Sequence, residues 1–287
     1  MVPEKTAAAS ADPAAPPAAS WPPMVLAARD LAVGYGDRPV LHGLDVTITP
    51  GSFTVIIGPN ACGKSTLLRS LARLLPVERG AVVLDGKDIR SSSSKEVARR
   101  IGLLPQTSVA PEGITVADLV SRGRYPHQRL LQQWSAQDER AVRSALRATS
   151  TEQFATRAVD ELSGGQRQRV WVAMVLAQET PVVLLDEPTT YLDIAHQIEL
   201  LDLCTRLHSQ GRTLVAVLHD INQAARYATH LIAMRDGRVV AQGAPAEVVT
   251  AERVEEVFGV RCRVFASPET GTPMIVPLAS GAVVAEP

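Results

Sequence analysis

One segment constrains this 287-residue chain more than any other: Gly58-Pro59-Asn60-Ala61-Cys62-Gly63-Lys64-Ser65, followed by Thr66. It fits the pattern G-x-x-x-x-G-K-[ST]. Before it, Phe53 to Ile57 is a short apolar run that reads as a buried strand; after it, Lys64 to Leu75 has helical spacing, with Leu67, Leu68, Leu71 and Leu75 on one side. A loop in that setting is suited to phosphate. Successive backbone N–H groups must curl around the anion, which excludes bulky side chains. The helix that follows turns its positive end toward it. Lys64 is placed to reach the β- and γ-phosphates of a nucleotide, and Ser65 to offer a hydroxyl to Mg²⁺. Cys62, inside the loop, reads as a small filler rather than a redox switch.

A second apolar strand, Val182-Val183-Leu184-Leu185, ends in Asp186-Glu187-Pro188. Burying carboxylates at a strand end is costly unless a cation is near. With a phosphate loop upstream, Mg²⁺ is the natural partner for Asp186, and Glu187 is placed to polarise an attacking water. The remaining strands and helices alternate. Val25 to Val33, Val40 to Ile48, Ile101 to Leu104 and Thr213 to Leu218 read as strands, while 115–175, Ala195–His208 and Ile221–Ala228 read as helical. Residues 230–278 read as two short strands, two short helices and a strand-rich tail. Such alternation predicts an α/β chain with a parallel sheet covered by helices. No internal repeat is visible, so one nucleotide-binding unit is expected.

Composition narrows the function classes. The formal net charge is −1, without the basic excess of a general nucleic-acid binder. Cys62, Cys204 and Cys262 are far apart, which argues against a disulfide framework or a zinc site. No apolar run approaches the roughly 20 residues needed to cross a bilayer, and no signal peptide opens the chain. Residues 1–23, mostly Ala, Pro and Ser, read as a disordered tail. A role in a membrane process would therefore run through a partner.

The third motif is Leu162-Ser163-Gly164-Gly165-Gln166-Arg167-Gln168-Arg169, about twenty residues before Asp186. Physically it is a Ser cap and a Gly pair opening a helix, a second helix N-terminus able to face an anion. Taken with the two motifs above, it makes the chain resemble the ATPase subunits of ABC transporters over about residues 25–278. The resemblance implies a P-loop NTPase fold of ABC type: a RecA-like parallel core, an antiparallel β subdomain and a helical subdomain at about 107–178, all within residues 24–280, with 281–287 as a C-terminal tail. It also implies residue roles. Tyr35 matches the aromatic that stacks on adenine. Gly58, Pro59, Asn60, Ala61, Cys62, Gly63, Lys64, Ser65 and Thr66 match the ATP-binding loop. Gln106, after Leu104-Pro105, matches the glutamine that senses Mg²⁺ and contacts the permease; Mg²⁺ would be held by Ser65, Gln106 and Asp186. Glu187, with His219 and Gln106, matches the hydrolytic group. Leu162, Ser163, Gly164, Gly165 and Gln166 match the signature that closes over the γ-phosphate from a facing subunit, and Asp193 the loop that crosses the dimer interface. Ala61 stands where the family usually has glycine, so a backbone needing φ > 0 there would be strained; ATP is still expected to bind.

The implied cofactors are ATP and Mg²⁺. The implied partners are a second copy of the chain, integral-membrane permease subunits and, indirectly, a substrate-binding protein, with no nucleic acid, at the cytoplasmic face of the cell membrane. Import is favoured over export because no membrane segment is fused to the chain. Among importers the resemblance runs to the ferric-siderophore ATPases of the ferric enterobactin type, with cobalamin and haem importers nearby. It is carried by Gly123-Arg124-Tyr125-Pro126-His127-Gln128, by Val170–Thr180, by Leu185–Gln197 and by Gly271-Thr272-Pro273. None of these would touch cargo, and His127 and His196 are expected in surface or packing roles rather than as iron ligands. Two other classes stand beside this one: a soluble ABC ATPase of DNA repair or translation, against which the single unit and the lack of heptads speak, and a P-loop kinase or GTPase outside the ABC family, against which Leu162–Gln166 speaks.

Overall fold

The computed structural model describes residues 21–128 and 134–279. The chain begins with two long antiparallel strands, β1 (Leu26–Tyr35) and β2 (Arg38–Ile48), and then β3 (Phe53–Ile57), which leads into helix α1 (Lys64–Leu71). β4 (Arg79–Leu84) and the two-residue β5 (Lys87–Asp88) complete a four-stranded antiparallel sheet in the order β2-β1-β4-β5. After α2 (Ser94–Ala98) and β6 (Ile101–Leu104), a helical region holds α3 (Val116–Ser121), α4 (Ala136–Ala148) and α5 (Gly164–Ala177). The chain returns through β7 (Val182–Asp186), α6 (Ile194–Ser209), β8 (Thr213–Val217), α7 (Ile221–Tyr227), β9 (His230–Arg235) and β10 (Arg238–Gly243). It closes with α8 (Pro245–Val248), α9 (Ala251–Phe258) and a hairpin of β11 (Cys262–Ala266) with β12 (Pro273–Pro277).

The second sheet has six strands in the order β10-β9-β3-β8-β7-β6; all its pairings are parallel except β9 with β10. Every residue of β3, β7 and β8 is buried, as expected of strands covered on both faces. The period of two divides those residues between two cores. Val55, Ile57, Val183, Leu185, Leu214 and Ala216 face the core shared with α3–α7, whereas Ile56, Val182, Leu184, Val215 and Val217 face the core shared with α1 and the antiparallel sheet. Because the site lies at the carboxyl ends of β3, β7 and β8, both cores hold it in place.

The structure shortens one sequence expectation. The helix after the phosphate loop ends at Leu71 rather than Leu75, because Arg73 turns left-handed at φ 59 and leaves Leu74 exposed. As expected, residues 115–175 are largely helical: the described residues there hold α3, α4 and most of α5, with short 3-10 turns between them. α4 and α5 both start at a serine: Ser135 and Ser163 cap them and form capping boxes with Asp138 and Gln166. Trp21, assigned from composition to the tail, stacks over the Arg212 guanidinium at 4.5 Å; residues 1–20 and the expected tail at 281–287 lie outside the described residues.

A buried arginine ties the helical region together. Arg124, 1% exposed, donates through Nε to Asp138 Oδ1 of α4 at 2.8 Å, and through Nη1 to the Ala177 carbonyl at 2.7 Å and to Glu179 Oε2 at 2.8 Å. Around it, Gly123 lies so close to α5 that a Cβ would come within 2.2 Å of the Met174 carbonyl oxygen. His127 Nε2 lies 2.7 Å from the Gln178 carbonyl oxygen, and Arg99 Nε donates to the Pro126 carbonyl at 2.8 Å. The Gly123–Gln128 motif is thus a latch between the end of α5 and the segment leading into β6. His127 is a packing residue, as expected.

Candidate functional site

The loop between β3 and α1 is built by backbone geometry. Gly58 has φ 153, and a Cβ there would come within 2.2 Å of the Met234 carbonyl oxygen, so only glycine fits. Gly63 ends the loop left-handed at φ 101 and caps α1. Ala61 is left-handed too, at φ 62, a conformation that costs an L-residue about 1–2 kcal/mol. Its side chain is exposed, so the cost is backbone strain and not a clash. Cys62 is 3% exposed; burial pushes its thiol pKa up against the lowering effect of Lys64, the environment of a filler and not of a reactive thiolate. Lys64 is buried, and its Nζ donates to the Gly58 and Pro59 carbonyls at 2.9 and 2.8 Å.

β7 delivers the two acids to the same place. Asp186, fully buried at the strand's last position, accepts from Ser65 Oγ at 2.7 Å and from Arg69 Nη2 at 3.3 Å. Burial pushes its pKa up, and Glu187 adds to this, while the Ser65 hydroxyl and Arg69 pull the other way. Glu187 follows in a left-handed conformation, φ 52, that turns its side chain out of the strand direction. Its Oε2 gathers three groups: Gln106 Nε2 at 2.8 Å, His219 Nε2 at 2.9 Å and Thr190 Oγ1 at 3.4 Å. Burial alone would raise the Glu187 pKa; the hydrogen bond and charge of His219, the Gln106 amide and Lys64 outweigh it and hold the carboxyl below its ordinary range. Gln106 arrives just beyond β6 and His219 just beyond β8, so three neighbouring parallel strands aim their carboxyl ends at one point.

Of these groups, Lys64, Ser65 and Glu187 line a cavity of about 280 Å³, together with Tyr35, Asn60, Ala61 and Thr66; Gln106, Asp186 and His219 stand outside its lining. Tyr35, half exposed at the end of β1, stands at its mouth. Ser65 and Asp186, with the side-chain oxygen of Gln106, offer hard oxygen donors of the kind Mg²⁺ prefers. Among the described residues no group of three or more His, Cys, Asp or Glu is placed to hold a metal ion.

The other predicted residues lie apart. Leu162–Gln166 do not line the cavity. Ser163 caps α5, its Oγ accepting from the Gln166 N–H at 3.3 Å, and Gly164 is exposed with open space where a side chain would stand. Asp193 caps α6, accepting from the His196 N–H at 2.9 Å; that bond, helped by the His196 ring, lowers its pKa. Sequence reasoning missed Arg69 and Thr190. Arg69 follows Ser65 by four residues on α1, the spacing that puts both on one face beside Asp186. Thr190 follows Glu187 by three, within reach of a turn.

The family model described as ABC transporter matches residues 41–190. The chain is 58% identical to the ferric enterobactin transport ATP-binding protein of Escherichia coli over 254 residues, 88% of this chain and 94% of the relative. Among solved structures it resembles an ABC transporter assigned to the metal-chelate type in an inward-facing conformation, with TM-score 0.76 and 27% identity, covering 89% of this chain and 98% of the other. It also resembles a bacterial ABC transporter cassette solved as a dimer, with TM-score 0.69 and 28% identity, covering 76% and 98%. The parallel core, antiparallel sheet and helical region are those of an ABC cassette. No helix among the described residues is long and apolar enough to cross a membrane. With the phosphate loop, the acid pair and the capped helix all in place, the chain belongs to the ABC transporter family, as one of its ATPases.

Proposed function

We propose that this chain hydrolyses MgATP as a homodimer bound to permease subunits at the cytoplasmic face of the cell membrane, and that it energises import of a ferric siderophore handed over by a substrate-binding protein. The observation that carries the hydrolytic part is the convergence of Gln106 and His219 on one oxygen of Glu187, next to the loop of Lys64. The cargo rests on likeness to the enterobactin-transport relative, since no residue of an ATPase subunit need touch the chelate.

In this reading the Gly58–Thr66 loop and Lys64 receive the β- and γ-phosphates, and Tyr35 stacks on the base. Mg²⁺, held through Ser65, Asp186 and Gln106, supplies charge neutralisation to the phosphates when bound. Glu187, ionised because its neighbours keep its pKa low, orients and polarises the attacking water. His219 holds Glu187 and faces the γ-phosphate. Ser163, Gly164 and Gly165 of a facing copy close over the same phosphate, and Asp193 crosses between the copies. This explains why the capped start of α5 is exposed rather than turned onto its own chain's cavity. ATP then favours the closed pair because it makes charge-assisted hydrogen bonds to both copies. Hydrolysis removes them, and the change reaches the permease through the surface near Gln106.

Uptake of labelled ferric siderophore, in cells whose native chain is replaced by Glu187→Gln, tests the whole reading. Loss of that uptake with other nutrients unaffected is expected. Unchanged uptake would refute the cargo and direct the same assay to cobalamin and haem.

A further inference from the structure

The loop that leaves the site after Glu187 and ends at Asp193 has carbonyl groups that need partners, and two glutamines supply them. Gln168 on α5 donates its side-chain N–H to the Pro188 carbonyl at 3.1 Å. Gln197 on α6 donates from Nε2 to the Thr189 carbonyl at 3.3 Å and to the Leu192 carbonyl at 3.1 Å. Both hydrogens of the Gln197 amide are therefore directed at the loop. Its other end, Oε1, accepts from Gln223 Nε2 of α7 at 2.9 Å. These partners fix which way the Gln197 amide faces: turned over, its NH₂ group would meet that of Gln223, and its oxygen would meet two carbonyls.

Gln223 belongs to the first turn of α7, and its backbone N–H is capped by Asp220 Oδ1 at 2.9 Å. Asp220 directly follows His219, whose Nε2 lies 2.9 Å from Glu187 Oε2. A continuous polar path thus runs from the 188–193 loop through Gln197 and Gln223 to the residue beside His219. It bypasses the nucleotide cavity, whose walls contain neither glutamine.

We propose that Gln197 and Gln223 are positioning residues for hydrolysis: the strut between them sets His219 against Glu187 according to where the Asp193 loop sits. The proposal rests on the roles given above to Glu187, His219 and Asp193. Its consequence is that a displacement of the loop by a facing subunit is felt at the hydrolytic oxygen through side-chain amides, and not only through the nucleotide. Glutamine suits the junction because one planar group donates twice and accepts once. A carboxylate at 197 would place oxygens against two carbonyls, and an apolar chain would free the loop from α7.

Steady-state MgATP hydrolysis by the purified full chain tests this. Gln223→Met cuts the strut and leaves the loop bonds of Gln197 intact; Gln223→Ala is a second cut without an added side chain; Gln197→Met cuts both connections. Loss of one net hydrogen bond that acts on the transition state corresponds to about a five- to tenfold lower kcat. The expected result is that fall in Gln223→Met and Gln223→Ala, with KM for ATP within about twofold of native and the thermal midpoint unchanged. The Gln197→Met/Gln223→Met double variant should be no slower than Gln197→Met alone, because both cut the same path. Native kcat in both Gln223 variants would overturn the proposal. So would a loss that appears in KM alone, or single effects that multiply in the double variant. The roles it rests on fail separately: turnover retained in Glu187→Gln removes them, whereas an inactive Glu187→Gln beside a fully active Gln223→Met removes only the strut.

Discussion

Arg124 gives the sharpest stability prediction, because its three partners differ in burial. Arg124 and Asp138 have side chains 1% and 9% exposed, while Glu179 is 38% exposed. Replacing Arg124 by Met leaves the Asp138 carboxylate buried with only the Ser135 hydroxyl and N–H, and leaves the Ala177 carbonyl without its side-chain donor. Breaking a buried pair from one side costs about 3–5 kcal/mol. Glu179→Gln, by contrast, removes the charge from a partner that water reaches, which is worth about 1 kcal/mol or less. At about 2–4 °C per kcal/mol for a large domain, Arg124→Met should lower the thermal midpoint by roughly 10 °C and Glu179→Gln by no more than a few degrees. Differential scanning calorimetry at neutral pH reads both. Burial works to raise the Asp138 pKa, but Ser135 and Arg124 hold it below the ordinary value. Its contribution is therefore present above the ordinary carboxylate pKa and is lost as pH falls through the lower folded value. The gap between native and Arg124→Met should accordingly narrow in strong acid. Equal midpoints for native and Arg124→Met, or equal losses in Arg124→Met and Glu179→Gln, would show that the buried Arg124–Asp138 pair does not hold the helical region together.

Three further outcomes are expected. Asp186 has a folded-state pKa raised by burial, so its ionisation weighs against folding as pH rises past the unfolded pKa; Asp186→Asn should raise the nucleotide-free melting temperature at neutral pH while abolishing Mg²⁺-dependent turnover, and a lower midpoint would contradict this. Glu187 is held below its ordinary pKa by His219 first among its neighbours, so the acid limb of the residual kcat in His219→Ala should move to higher pH, as a pH–rate profile would show; an unmoved limb would contradict that dependence. Ala61→Gly relieves the left-handed strain at φ 62 but adds unfolded-state freedom, for a net gain of about 0.5–1 kcal/mol in urea titration; ATP affinity by equilibrium titration should stay within about twofold, and no saturation with MgATP in the native chain would overturn the reading of this loop.

The parallel core was legible because its strands are continuous apolar runs ending in chemistry-bearing residues: Ile57 before the glycine loop, Leu185 before Asp186-Glu187, Leu104 before Pro105-Gln106. Those ends meet in the structure: Ser65 bonds to Asp186, and Gln106 and His219 reach Glu187 beside the loop of Lys64. The spacing of leucines overran the end of α1, since periodicity continues through Leu75 while a left-handed Arg73 ends the helix. β4 and α2 escaped notice because Arg79–Leu84 and Ser94–Ala98 are short and only partly buried. Arg124 was visible in the sequence only as part of a motif; that it is buried, and pairs with Asp138 across 14 residues and Glu179 across 55, is a tertiary fact. The same holds for Gln197 and Gln223, whose bond joins two helices that no local pattern relates.

The central claim is that Glu187 drives hydrolysis in a site completed by a second copy. The most direct measurement compares native chain and Glu187→Gln for MgATP turnover and, by light scattering after size exclusion with and without MgATP, for mass. Glu187→Gln should bind ATP, turn over at least about a hundredfold more slowly, and elute as a stable dimer only when MgATP is present. Near-native turnover in Glu187→Gln, or a monomer at saturating MgATP, would contradict that claim.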